Sequence, residues 1–318
     1  MKYLKLGNTD LNVSRICLGC MTYGEPNRGN HAWTLPEESS RPLLKQALEA
    51  GINFFDTANS YSDGSSEEIL GRALRDYARR EDVVIATKVY FPLSNLKRGL
   101  SRANIMQSID DSLRRLGTDY VDLLQIHRWD YDTPLEETLA AFDALIKAGK
   151  VRAIGASNYQ ADRLEEALRV SENNGLARYE TLQPEYNLYA REGYEAELEG
   201  VAQRHGLGVI NFFALASGFL TGKYRSKADE GKSQRGDRIV ERYLNPRGFR
   251  ILAALDQVAG KHGSSPAQVS LAWLIARPSI TAPIVSATSL PQLDELVSAT
   301  RLTLDADDIQ TLNHASAE

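Results

Sequence analysis

Residues 120–157 read YVDLLQIHRWDYDTPLEETLAAFDALIKAGKVRAIGAS. Two runs within this stretch, YVDLLQIH and VRAIGAS, are short and mostly apolar on both faces, as strands covered from both sides must be. Between them, residues 135–148 carry apolar positions at helical spacing. TPLEET opens that helix with early acids, and the Gly and Lys of AGK close it. A buried strand, a helix and a second buried strand in sequence make a crossover unit, which belongs to a parallel sheet.

The same alternation extends outward in both directions. ICLGC, INFFD, DVVIATKV, TLQPEYN, LGVINFF and TAPIVSA bring the strand-like runs to eight, and helical patterns cover residues 37–50, 67–78, 102–116 and 161–173. Eight units in 318 residues favour an α/β fold closed as a (β/α)8 TIM barrel over an open sheet. An open dinucleotide-binding sheet would also want G-x-G-x-x-G after an early strand, and the sequence has none. KYLKLG and VSRICLG flank Gly7-Asn8-Thr9-Asp10, which predicts a short N-terminal hairpin. One long irregular stretch, residues 214–243, follows the seventh strand and is rich in Gly and basic residues, as functional loops often are. With no linker or low-complexity tract, residues 1–318 read as a single domain.

Composition narrows the classes further. Apolar residues make up 42% and charged residues 25%, ordinary globular usage. Lys plus Arg (37) against Asp plus Glu (42) gives a net charge of −5, which argues against a nucleic-acid partner. Cys17 and Cys20 fall in a strand-like run, RICLGCM, and read as reduced structural thiols. The N-terminus carries no apolar leader with a cleavage signal, and no apolar run approaches the ~20 residues of a membrane span. The expected location is cytoplasmic, with no membrane partner.

In such barrels the chemistry sits where strands end and βα loops begin. The second strand ends at Asp56, with Tyr61 just beyond; the third delivers Lys88 and the fourth His127. The fifth, sixth and seventh deliver Ser157-Asn158, Gln183 and Phe212-Phe213. An Asp, a Tyr, a Lys and a His on one rim form a proton-transfer constellation. A free phenol has a pKa near 10 and holds its proton too tightly, but a neighbouring ammonium lowers it toward the working range. Lys88 can supply that charge, Asp56 can keep Lys88 protonated, and His127 can add a second hydrogen bond to a carbonyl oxygen. The chemistry that fits is protonation of a carbonyl as its carbon receives a hydride. The strand ends offer no His-x-His or clustered carboxylates, so no metal is expected.

These residues, together with GINFFDTANSYSDGSSEEILGRAL, ATKV, DYVDLLQIHRWDYDTPLEETL, GKVRAIGASNY, LQPEYNL and LASGFLTGKY, resemble the aldo-keto reductases over nearly the whole chain. The nearest branches are those of bacterial aryl-alcohol dehydrogenases and potassium-channel β-subunits. The resemblance implies an NADP(H)-dependent oxidoreductase that reduces an aldehyde or ketone, with Tyr61 as proton donor, Lys88 and Asp56 as its tuning pair and His127 orienting the carbonyl. For the cofactor it implies Thr22 near the ribose, and Ser157, Asn158 and Gln183 on the nicotinamide carboxamide. Phe212 would stack on the nicotinamide, Phe213 would stand near the pyrophosphate, and Asp56, Leu215 and Ser217 would be further cofactor contacts. Lys223 and Arg235 would grip phosphates, with Ser286, Thr288, Gln292 and Glu295 at the adenosine end.

The chain departs from the family pattern at INFFA, where many relatives have IPYSP, and at VSATSLPQLDEL, which lacks the basic residue that clamps the 2′-phosphate of NADP. Leu296 stands where an Asn often meets adenine. NADP(H) preference then rests on Lys223 and Arg235, and NAD(H) is the alternative. For the substrate mouth, the aromatic candidates are Tyr23, His31 and Trp33 in the early loop, and Trp129 and Tyr131 in HRWDYD. Arg128 would meet either an anionic substrate or the neighbouring Asp130 and Asp132. The resemblance also leaves open a homo-oligomer, and a regulatory cofactor-binding subunit with little turnover.

Overall fold

The computed structural model describes residues 1–29, 33–94 and 96–317. A two-stranded antiparallel hairpin, β1 (Tyr3–Lys5) and β2 (Asn12–Ser14), precedes the barrel. The barrel strands are β3 (Cys17–Gly19), β4 (Phe54–Asp56), β5 (Val84–Val89), β6 (Val121–Ile126), β7 (Val151–Ser157), β8 (Tyr179–Gln183), β9 (Gly208–Val209) and β10 (Ile284–Val285). All pair in parallel in the order β10-β3-β4-β5-β6-β7-β8-β9. The amides of Thr281 and Ile284 donate to the carbonyls of Val209 and Asn211, each at 2.9 Å, joining the two ends of the sheet.

The helices are α1 (Glu37–Glu49), α2 (Ser65–Tyr77), α3 (Arg102–Leu116), α4 (Leu135–Lys147), α5 (Ala161–Asn174), α6 (Glu192–Glu195), α7 (Leu198–His205), α8 (Gly236–Tyr243), α9 (Pro246–His262), α10 (Pro266–Ala276), α11 (Leu290–Ala299) and α12 (Ala306–Ser316). The five helices read from the sequence begin and end within about two residues of these limits. The sixth barrel strand differs: TLQPEYN predicted residues 181–187, but the strand runs Tyr179–Gln183 and stops before Pro184. Proline has no N–H to continue a ladder. The stretch at 214–243 is also not structureless. It holds 3-10 turns at Ala216–Thr221 and Lys227–Lys232, then α8, whose Ile239, Val240 and Tyr243 are buried. No helix among the described residues is long and apolar enough to cross a membrane.

The interior of the barrel is layered by strand parity. Cys17, Phe54, Val84, Ala86, Leu123, Ala153, Ile210 and Ala282 pack together with Leu6, Leu11 and Val13 of the hairpin, which closes the N-terminal end. Successive side chains alternate faces, so two residues further along, each strand points inward again. That step leads from Phe54 to Asp56, from Ala86 to Lys88 and from Leu123 to Gln125. The register keeps the polar positions level: Lys88 lies opposite Gln125 and Ser157 opposite Gln183. A bulge at Ile154/Gly155 restores this parity between β7 and β8. Gly155 is required there, because an added Cβ would come within 1.9 Å of Thr181 Oγ1.

Outside the barrel, Glu67 in the first turn of α2 is fully buried. It accepts from Thr87 Oγ1 at 2.5 Å and Arg115 Nε at 2.7 Å. This ties α2, which follows the Tyr61 turn, to the strand that carries Lys88 and to α3. Removing one partner strands the other charge in a low-dielectric site. Glu67→Ala should therefore lower the unfolding free energy by about 3–5 kcal/mol in a urea titration. A loss under about 1 kcal/mol would mean Arg115 finds water instead.

Candidate active site

At the C-terminal rim two side chains, Asp56 and Tyr61, meet around one ammonium. Lys88 Nζ, 1% exposed, donates to Asp56 Oδ2 at 2.7 Å, to the Thr57 carbonyl at 2.9 Å and to Tyr61 Oη at 3.1 Å. Burial works to lower the Lys88 pKa, but Asp56 and then Tyr61 outweigh it and hold the ammonium above the ordinary lysine value. Asp56, 3% exposed, uses its other oxygen separately: Gln183 Nε2 donates to Oδ1 at 2.9 Å and Gln125 Nε2 at 3.3 Å. The buried carboxylate thus accepts from one cation and two amides.

Tyr61 reaches this ammonium from a tight turn, in which Ser62 and Asp63 both take left-handed backbone angles near φ +47°. Its pKa is raised above the ordinary phenol value. Burial is the largest cause and Lys88 only partly opposes it. This corrects the expectation that the ammonium would bring the phenol down toward neutrality. Lys88 lowers the cost of the phenolate relative to burial alone, and the resting hydroxyl keeps its proton.

His127 packs edge-on against Tyr61, with ring centroids 5.8 Å apart, and against Phe91 at 4.8 Å. Burial, then Lys88 and Arg128, push its pKa well below the ordinary histidine value, so the imidazole is neutral. Nδ1 is buried with no hydrogen-bond partner among the described residues. A nitrogen so enclosed suits the unprotonated role, which leaves the N–H on Nε2.

Around this centre lie the positions read as cofactor contacts. Ser157 Oγ donates to the Gln183 carbonyl at 2.9 Å, and Asn158 Nδ2 donates to the His127 carbonyl at 2.9 Å. Phe212 is half-buried, with its ring 5.1 Å from that of exposed Phe213. Asn158, Phe213, Ala216 and Ser217 all have φ between +47° and +58°. Non-glycine residues in that region cost energy and gather where a ligand is gripped. Leu215 shapes the same turn by accepting the Gly218 amide at 2.8 Å. A Cβ added at Gly218 would meet only the end of Lys223, at 3.9 Å and beyond, so the chain leaves an open cradle there. Thr22 accepts from Ser286 Oγ at 2.8 Å, joining the end of β3 to the end of β10. These groups form a continuous polar and aromatic rim of suitable chemistry for a dinucleotide.

At the far end the positions are already engaged with one another. Gln292 Oε1 accepts from the Thr288 amide at 2.9 Å, and Glu295 accepts from Ser265 Oγ. Leu296 faces inward from α11 and belongs to the core. Arg235 lies at the start of α8 with its guanidinium 4.6 Å from the Trp33 ring, so the early loop and the long loop meet. Lys223 is exposed, beside the Tyr224 ring.

The aromatic mouth is partly redistributed. Tyr23 is withdrawn into the core, where its hydroxyl donates to the Ala287 carbonyl at 3.1 Å. Trp129 packs on Tyr159 at 5.1 Å, with Arg163 over its face at 5.2 Å, and Tyr131 is exposed. His31 lies outside the described residues. Phe91 is the ring that meets His127, and sequence reasoning passed it over, as it did Gln125. Gln125 could have been found: it lies two residues before His127, which directly follows β6, so strand parity aims both the same way. Cys17 and Cys20 are both free and buried, and burial, then the nearby Asp56, raises both thiols.

The sequence profile of the Aldo/keto reductase family matches residues 15–317. The chain is 36% identical to versiconal hemiacetal acetate reductase of Aspergillus parasiticus, over 98% of this chain and 96% of that one. It is 35% identical to a probable voltage-gated potassium channel subunit beta of Arabidopsis thaliana, over 94% and 91%. A crystal structure of a thermostable aldo-keto reductase with the inhibitor epalrestat superposes with a TM-score of 0.79 at 29% identity, covering 99% of this chain and 100% of that one. The chain therefore belongs to the aldo/keto reductase family of oxidoreductases.

Proposed function

We propose that this protein reduces an aldehyde or ketone to the alcohol, using NADP(H), with Tyr61 as the proton donor. The observation that carries the reading is the sharing of one buried ammonium, Lys88 Nζ, between Asp56 at 2.7 Å and the Tyr61 hydroxyl at 3.1 Å. A bound nicotinamide supplies the hydride that the carbonyl carbon accepts. Tyr61 Oη and the Nε2–H of His127 both donate to the carbonyl oxygen, where negative charge grows as the carbon is reduced. The Tyr61 proton then passes to that oxygen, and the phenolate left behind faces the Lys88 ammonium. Asp56 keeps that ammonium charged, and the two glutamine amides hold the second oxygen of Asp56 in place. Phe91 beside His127 gives the carbonyl an apolar wall.

Several features support the cofactor half of the reading: the strained turn at residues 213–217, the half-buried Phe212 and the exposed amide of Asn158. Preference for NADP(H) over NAD(H) rests on Lys223 and Arg235, since residues 285–296 carry no basic side chain. A second reading, a regulatory subunit that holds its cofactor with little turnover, is favoured only by the likeness to the Arabidopsis channel-subunit relative. Turnover of an aldehyde panel separates the two readings: tight NADPH binding with negligible NADPH oxidation would select the second.

Replacing Tyr61 by Phe removes the acid and leaves the ring. It should cut reductive kcat by about 10²-fold or more, with cofactor binding retained. Full activity in Tyr61→Phe would end the assignment. The pH dependence follows from the raised phenol pKa. The protonated acid persists through neutrality, so the reductive rate should stay level there and fall only at alkaline pH, above the ordinary phenol range. A rate already falling near pH 7 would point to a different donor. For the cofactor, Arg235→Ala should narrow the ratio of NADH to NADPH dissociation constants by about tenfold in a fluorescence titration. An unchanged ratio would move the 2′-phosphate elsewhere.

A further inference from the structure

The loop after β5 and the loop after β6 build one wall of the mouth. Along that wall the rings follow in order: His127, then Phe91 at 4.8 Å, then Tyr90 a further 5.2 Å from Phe91. At the end stands Arg128, exposed, with its guanidinium 5.9 Å from the Tyr90 ring centroid. The wall therefore joins a carbonyl-binding imidazole to a fixed positive charge through two aromatic faces.

The carboxylates that could neutralise Arg128 are committed elsewhere. Asp130 is buried and accepts from the Leu100 amide at 2.7 Å, from Thr133 Oγ1 at 2.7 Å and from the Asp132 amide at 3.1 Å. Asp132 leans toward Arg98 at 3.8 Å. Asp63 accepts from the amide and hydroxyl of Ser94. Among the described residues no carboxylate pairs with Arg128. Lys97 and Arg98 lie on the same loop, folded back toward Tyr90 by the Gly99 amide, which donates to the Tyr90 carbonyl at 2.8 Å. A chain of net charge −5 thus keeps an unpaired guanidinium at the end of the wall that starts at His127.

We propose that Arg128 selects substrates by charge: the preferred carbonyl compounds carry a carboxylate about one aryl ring away from the aldehyde. The aldehyde oxygen meets Tyr61 and His127, the intervening ring lies along Phe91 and Tyr90, and the carboxylate meets the guanidinium. This rests on the carbonyl-reductase reading, since it assigns the other end of the same substrate. Arg128 is suited to the task because a guanidinium presents a planar fork that a carboxylate matches with two hydrogen bonds. Tyr90 under the guanidinium restrains the fork, which lowers the ordering cost on binding.

The test compares 4-formylbenzoate with its neutral methyl ester in wild type, Arg128→Met and Arg128→Lys. In wild type, kcat/KM for the carboxylate should exceed that for the ester by about tenfold, chiefly through KM. The ratio, read within each variant, should collapse to near one in Arg128→Met and be partly retained in Arg128→Lys. Added salt should shrink the wild-type ratio, because an exposed charge pair is screened. Equal rates for acid and ester in wild type, or a ratio surviving in Arg128→Met, would overturn the proposal. Calorimetric titration with the same two compounds in the presence of NADP+ keeps the question separate from catalysis. If neither aldehyde turns over but wild type binds the carboxylate more tightly than Arg128→Met does, the anion contact stands and the reductase reading falls. If the two bind alike, the anion contact falls whatever the turnover.

Discussion

A charged lysine inside a protein needs a reason to stay there. Lys88 is almost without solvent contact, and Asp56 beside it is nearly as enclosed. Moving two such groups out of water costs several kcal/mol each, and their attraction recovers it only with close geometry and satisfied remaining atoms. The barrel provides both. Asp56 closes on Lys88 at 2.7 Å, while Gln125 and Gln183 occupy its second oxygen. Apolar residues would fill this space more cheaply. The pair is better understood as a fixed positive charge held against a phenol, which water would screen if the site were open.

The barrel makes this enclosure affordable by sorting polarity along its axis. Near the N-terminal end Cys17, Phe54, Val84, Ala86, Leu123, Ile210 and Ala282 form an apolar layer packed against the hairpin. Two residues further on, the same strands point Asp56, Lys88 and Gln125 into the same interior. The parity of a strand fixes which side chains can share this level, and the bulge before Gly155 keeps β8 in step with its neighbour. Above this level the chain leaves regular structure and accepts strain, with non-glycine left-handed residues at Ser62, Asp63, Asn158, Phe213, Ala216 and Ser217. These positions flank the reacting groups on both sides, whereas the strand layers below are regular.

Much of this was legible beforehand, and the failures have identifiable causes. Strand and helix periods depend on local sequence, so the barrel and five helices emerged, although the runs LGVINFF and TAPIVSA shrink to Gly208–Val209 and Ile284–Val285 as regular strands. The end of β8 was misplaced because the run TLQPEYN was read straight through Pro184. The polar rim residues were legible because strands end predictably in a barrel. Their partners were not: the contact of Arg235 with Trp33 joins loops far apart in sequence, and the commitment of Glu295 to Ser265 lies on neighbouring helices. Tyr23 was read as a mouth residue because aromatic rings in loops look alike until burial is known. Tyr61 was expected to titrate lower because its charged neighbour could be seen in sequence, while the extent of its burial could not.

The sequence by itself determined the architecture and the identity of the four rim residues, since both follow from alternation that any short window displays. Only the tertiary structure decided how those residues divide their interactions. Which oxygen of Asp56 serves Lys88, which nitrogen of His127 is enclosed, and which arginine at the mouth lacks a carboxylate all depend on contacts between different strands and loops. Such contacts are set by the closure of the barrel and the register of its strands. No spacing within one segment encodes them.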